Sequence, residues 1–106
     1  MRRIANAMGA IALCFAASAQ AEGDAVQGRY KAQTCMGCHG SPGYSNAYPT
    51  YHVPKLAGQH AEYIVAALNA YAAGQRNHDT MHANAVSLGE QDIADIAAYF
   101  SSIERP

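Results

Sequence analysis

Cys35-Met36-Gly37-Cys38-His39 is the part of this chain best equipped for chemistry. Two thiols stand three positions apart and an imidazole follows directly. That is the Cys-x-x-Cys-His signature of covalent haem attachment. One helical turn between the cysteines lets both sulfurs reach the vinyl groups on one side of a porphyrin. The adjacent His39 then brings its imidazole under the ring to the iron. Other uses of the pair fit less well. A thioredoxin-like redox pair lacks a βαβ setting here. A zinc site needs a closed set of four ligands, and the chain has no second cysteine pair. A disulfide across so short a loop is strained.

A second axial ligand follows in part by elimination. Outside the first 21 residues the methionines are Met36 and Met81. Met36 lies inside the attachment loop and cannot reach the far face of the same ring. Met81 comes 42 residues after His39, far enough to wrap around it. His52, His60, His78 and His82 compete, and His82, beside Met81, is the strongest rival. Core filler is the plain alternative for a lone methionine.

These residues need elements to hold them. Three helices are expected, making an all-α domain. The first covers 24–35, with Ala25, Gly28, Ala32 and Cys35 on one face at helical spacing. That small-residue face permits close approach of another backbone. The second covers 61–73, with an apolar stripe of Ile64, Ala67, Leu68 and Tyr71, and Gly74 at its C-terminal end. The third covers 88–104, where Ile93, Ile96, Ala97, Phe100 and Ile103 recur at helical spacing. Ser87-Leu88-Gly89-Glu90 reads as its capping box. Long loops, 40–59 and 75–86, separate the helices. Loops of that length in a small domain are usually functional, and enclosing a flat cofactor is such a function. No strand pattern is evident.

The 106-residue chain opens with Arg2 and Arg3, an apolar stretch from Ile4 to Ala19, and Ala19-Gln20-Ala21. Charged start, apolar centre and small-x-small end read as a cleaved secretory signal over 1–21. The apolar stretch is short for a spanning helix of about 20 residues, so no stable membrane anchor is expected after cleavage. The remaining domain, 22–106, carries five Lys+Arg against eight Asp+Glu. It lacks the basic stripe of a nucleic-acid binder. So small a domain buries little of its surface and needs a staple, which a covalently bound haem provides. Export agrees with the motif and points to the periplasm.

Beyond the attachment site, the chain resembles the class I cytochromes c of the small bacterial c4/c5/c553 type, from about Asp24 to Ile103. The segment Pro54-Lys55-Leu56-Ala57-Gly58-Gln59-His60-Ala61-Glu62-Tyr63 resembles the approach to that group's middle helix. Tyr71-Ala72-Ala73-Gly74-Gln75-Arg76 resembles the end of that helix. Met81, placed before Ser87-Leu88-Gly89-Glu90-Gln91-Asp92-Ile93, falls where the group keeps its axial methionine. The resemblance implies a small cytochrome c fold around one haem c bound through Cys35 and Cys38, with His39 and Met81 as axial iron ligands. It implies that Gly28 and Tyr99 form the contact between the first and last helices. It implies that the Pro54 carbonyl receives the other nitrogen of the haem histidine, with Pro49 as fallback and a plain turn proline as the alternative. Arg76 becomes a candidate partner for a haem propionate, against an ordinary exposed loop arginine. The tyrosine-rich run with Tyr44, Tyr48 and Tyr51 has no counterpart in the group; it covers a haem edge, forms a docking patch or simply packs the loop.

With both axial positions filled, iron has no room for substrate. The expected role is therefore not enzymatic: a one-electron carrier between a redox-protein donor and acceptor. Axial methionine raises the reduction potential. A dedicated haem subunit in a stable complex with a dehydrogenase is the alternative reading, and a ligand-binding or sensor haem is a third.

Overall fold

The computed structural model describes residues 22–104; the signal expected over 1–21 lies outside them. Their order is α1 (Ala25–Lys31), α2 (Gln33–His39), β1 (Ser45–Ala47), β2 (Thr50–His52), α3 (Ala61–Ala72), α4 (Asp79–Ala85) and α5 (Glu90–Ser102). The three expected helices are present at α1–α2, α3 and α5. No helix among the described residues is long and apolar enough to cross a membrane.

The first expected helix is in fact two. Asp24 opens α1, its Oδ1 accepting from the backbone N–H of Val26 at 2.9 Å and of Gln27 at 3.2 Å. The chain then turns at Ala32, whose ψ is 2° and whose side chain is fully buried. Alanine is the best helix former, so the break comes from packing rather than propensity. α2 restarts from the Ala32 carbonyl, which accepts from Cys35 and Met36.

The α3 stripe is placed as its spacing demands, with Ile64 and Leu68 buried. Its end is a Schellman turn. Gly74 adopts φ +75°, and Gln75 and Gly74 donate back to the carbonyls of Ala70 and Tyr71. α5 starts two residues later than the expected Leu88. Its N-cap is Gly89, whose N–H donates to Asp92 Oδ2 at 2.9 Å. The expected Ser87-to-Glu90 box is thus displaced by two residues, and glycine supplies only its backbone half.

The loops hold structure that the sequence pattern did not show. β1 and β2 pair antiparallel, Asn46 opposite Tyr51, through a turn containing a cis Tyr48–Pro49 peptide. Asn46 Nδ2 donates to the Pro49 carbonyl at 2.7 Å and Thr50 Oγ1 to the Ala47 carbonyl at 3.1 Å, closing that turn. The second loop contains α4.

α1 crosses α5 backbone to backbone. A Cβ on Gly28 would lie 1.8 Å from the Asp95 carbonyl oxygen and 2.8 Å from Tyr99 Cβ. Glycine is therefore required at this crossing, and Tyr99 is its neighbour. Beside it, Asp95 is 2% exposed yet fully partnered. Its Oδ1 accepts from the Asp24 N–H and from Gln91 Nε2, both at 2.8 Å. Its Oδ2 receives Lys31 Nζ at 2.6 Å, and Lys31 also pairs with Asp92 at 3.0 Å. The Asp24 N–H and the Lys31 ammonium hold the Asp95 carboxyl down at about 2. The core comprises Ala32, Ile64, Leu68, Ala85, Ile93, Ile96, Ala97 and Phe100.

Candidate functional site

A cavity of about 460 Å³ opens between α2, the hairpin, α3, α4 and α5. Its volume lies in the ~300–1,000 Å³ range of ligand and cofactor sites. The stripe Ile64, Ala67, Leu68 and Tyr71 lines it, as do Ile96 and Phe100. The same helical faces that build the core also build this apolar wall.

Cys35, Cys38, His39 and Met81 all line the cavity. One turn of α2 separates the cysteines, putting both on one helix face. Both thiols are free and half-buried. Burial pushes the Cys35 thiol above its ordinary value, so it is held as the neutral thiol at neutral pH. His39 ends α2, and its Nδ1 lies 2.7 Å from the Pro54 carbonyl oxygen. A carbonyl only accepts, so Nδ1–H donates. In the neutral ring this leaves the Nε2 lone pair available to a metal. Pro49 sits in the hairpin turn and makes no such bond to His39.

The rival histidines divide. His60 and His82 are not among the cavity-lining residues. His82 Nδ1 is bonded to the Tyr71 carbonyl at 2.8 Å. His52 lines the cavity, but its Nδ1 is 2.8 Å from Ser45 Oγ across the hairpin. His78 lines it too, and its Nδ1 accepts from the Met81 backbone N–H at 3.3 Å. Arg76 borders the cavity with its guanidinium 4.5 Å above the centre of the Tyr71 ring.

The tyrosine run splits in three. Tyr51 lines the cavity, Tyr44 is half-buried, and Tyr48 is 95% exposed at the hairpin tip. Tyr51 and His78 were not expected to meet. Alternation along Tyr51-His52-Val53 was the faint signal for a strand that turns Tyr51 inward, and three-residue strands are too short to register as a pattern.

The family model for cytochrome c matches residues 24–104. This chain belongs to the cytochrome c family. Cytochrome c-554(548) of Halomonas halodenitrificans is 47% identical over 85 residues, covering 77% of this chain and 99% of that protein. Cytochrome c4 of Pseudomonas aeruginosa is 43% identical over 84 residues, covering 79% of this chain and 40% of its own length. The crystal structure of reduced recombinant cytochrome c4 from Pseudomonas stutzeri superposes with a TM-score of 0.63 at 38% identity, covering 77% of this chain and 46% of that one. The chain thus spans nearly all of the first of these relatives and under half of the two cytochrome c4 chains. It is a c4-like electron-transfer protein rather than an enzyme, and membership implies a covalently bound haem c.

The residues present suit that group. Two unpaired thiols, an imidazole with its distal nitrogen free and a thioether border one apolar cavity.

Proposed function

We propose that this cytochrome c carries a single haem, exchanges one electron at a time and works in the periplasm after removal of residues 1–21. Cys35 and Cys38 would hold the haem by thioether bonds, and His39 and Met81 would ligate its iron. The observation that carries this reading is the meeting of all four side chains in one cavity. When bound, the haem supplies a one-electron change of iron oxidation state.

The chain's own residues account for the rest. The Pro54 carbonyl fixes the tautomer and orientation of His39. Ile64, Leu68, Ile96 and Phe100 exclude water, and a low-polarity wall with a thioether ligand favours the less charged ferrous form. Arg76, whose guanidinium lies over the Tyr71 ring at the cavity edge, is the cation we assign to balance a propionate. One Cys-x-x-Cys-His sequence in the chain supports one haem. Cys38, His39 and Met81 are only half-buried, which gives a redox partner access, and the acidic balance of 22–106 suits a donor or acceptor with a basic or neutral docking face.

Mass spectrometry of the exported protein tests this reading. The expected mass is that of residues 22–106 plus one haem, resistant to acid extraction. A mass without haem, or haem released by acid, contradicts it. Size-exclusion chromatography separates a free carrier, eluting as a monomer, from a subunit that co-elutes with a dehydrogenase.

A further inference from the structure

The hairpin meets α4 through one side chain at the start of that helix, where Tyr51 touches His78 and Thr80. α4 has seven residues, too few for a helix to stand without help from its ends and its packing. Its N-cap is His78, an uncommon cap residue compared with Ser, Thr, Asp or Asn. Met81 is the third residue of the helix, and the capping bond from His78 Nδ1 falls on its own N–H at 3.3 Å. The His78 ring is in turn held edge-on by Tyr51 of β2, with centroids 4.7 Å apart and planes at 84°. The Tyr71 ring of α3 stands 6.3 Å away on another side. Tyr51 Oη also reaches Thr80 Oγ1 at 3.4 Å. That contact is near the outer limit of a hydrogen bond, so the ring contact is the stronger tie.

We propose that Tyr51 and His78 are positioning residues that hold Met81 toward the iron, the hairpin acting as a strap across the N-terminus of α4. The proposal rests on Met81 being the axial ligand. It gives the tyrosine-rich loop a division of labour. Tyr51 braces the ligand helix, whereas Tyr48 at the exposed tip has no part in it. The C-terminal half of α4 is secured separately, by Ala85 in the core and by the bond of His82 to the Tyr71 carbonyl. The strap therefore acts on the one end of α4 that carries the ligand.

A ligand that competes with Met81 reads this directly. Loosening Met81 raises the apparent affinity of an outside ligand by the same factor, because the open state becomes more populated. The experiment titrates imidazole into the oxidised haem-loaded protein and follows the absorption spectrum, with thermal unfolding measured alongside. His78→Ala should bind imidazole roughly five- to tenfold more tightly than the parent, the size of a lost cap and ring contact. His78→Asn restores a capping acceptor and should return the imidazole affinity to within about twofold of the parent's. Tyr51→Ala should tighten binding about threefold, and Tyr51→Phe, which keeps the ring, should leave it unchanged. Lys31→Ala, at the distant α1–α5 crossing, should lower the unfolding temperature without changing imidazole affinity.

Parent-like affinity in His78→Ala and Tyr51→Ala, with Met81→Ala binding far more tightly, would overturn the strap and leave the ligand assignment intact. Parent-like affinity in Met81→Ala itself would overturn the ligand assignment. An increase in Lys31→Ala equal to that in His78→Ala would reduce the effect to general destabilisation and also overturn the proposal. If His78→Asn behaves as His78→Ala, the capping bond is not what positions Met81.

Discussion

The two sides of the molecule are built by opposite means. At the α1–α5 crossing, backbone lies on backbone. Gly28 admits the Asp95 carbonyl at a distance no side chain would allow, and Asp95 is satisfied by Asp24, Gln91 and Lys31 from two helices. At the hairpin–α4 side, short elements are joined through side-chain contacts around a cavity. Tyr51 touches His78, His78 caps Met81, and His82 reaches the Tyr71 carbonyl. The first side is rigid by protein contacts alone. The second encloses space and depends on what fills it. α5 serves both, giving Asp95 and Tyr99 to the crossing and Ile96 and Phe100 to the cavity wall. A carrier that must change charge without changing shape gains from this arrangement, since the crossing fixes the helix that supplies Ile96 and Phe100 to the cavity wall.

The comparison makes the two sides separable by mutation. The largest effect is expected from replacing Cys35 and Cys38 together by serine. Covalent haem should be absent from the purified protein, and circular dichroism should show loss of ordered helix, because the α2–hairpin–α4 side loses its filling. Retention of acid-stable haem would break the assignment.

Gly28→Ala comes next. The added Cβ meets a backbone carbonyl that cannot move aside, so stability should fall by about 3 kcal/mol. Denaturant unfolding measures this, while the absorption spectrum of the surviving folded fraction stays that of the parent. A changed spectrum would mean that the two sides are not independent.

A smaller effect is expected at Asp95. Its carboxyl is held down at about 2 against an ordinary 3.8. A group depressed in the folded state stabilises above its unfolded pKa and loses that stabilisation as the pH falls through the folded value. The contribution, about 2 kcal/mol, should therefore be complete above about pH 5 and be lost as the pH falls toward about 2. Denaturant unfolding across that window should show the slope in the parent and a flatter one in Asp95→Asn. Equal slopes would contradict it. Tyr48→Ala, at the exposed tip, should leave stability, spectrum and imidazole affinity unchanged. A loss of electron-transfer rate with one partner alone would instead mark Tyr48 as a docking residue.

How much of this was legible in the sequence follows the same divide. The stripes of α3 and α5 were readable because a packed helix repeats its apolar face over three turns or more, and each stripe also names part of the cavity wall. Gly74 was readable because a helix that ends in a left-handed turn needs a residue without a Cβ. The pairing of Gly28 with Tyr99 came from family resemblance, and the structure places them together at the crossing. The rest was hidden for physical reasons. The turn at Ala32 opposes the local helix preference, so only tertiary packing could reveal it. α4 reads Asp79-Thr80-Met81-His82-Ala83-Asn84-Ala85, with Ala85 its one buried residue; seven residues with no stripe carry no period. The hairpin strands are three residues each, and their pairing is set by turn bonds from Asn46 and Thr50 that no hydropathy pattern shows. The residues of the attachment motif were named from spacing alone, but the contact that joins Tyr51 to His78 is long-range in the chain and required the fold.

The central claim is that one cavity gives the iron two protein ligands, His39 and Met81. The most direct test adds carbon monoxide to the reduced, haem-loaded protein and to Met81→Ala, and compares their absorption spectra. The account predicts no spectral change in the parent and rapid, complete conversion in Met81→Ala. Rapid binding by the parent, or refusal by Met81→Ala, would contradict it.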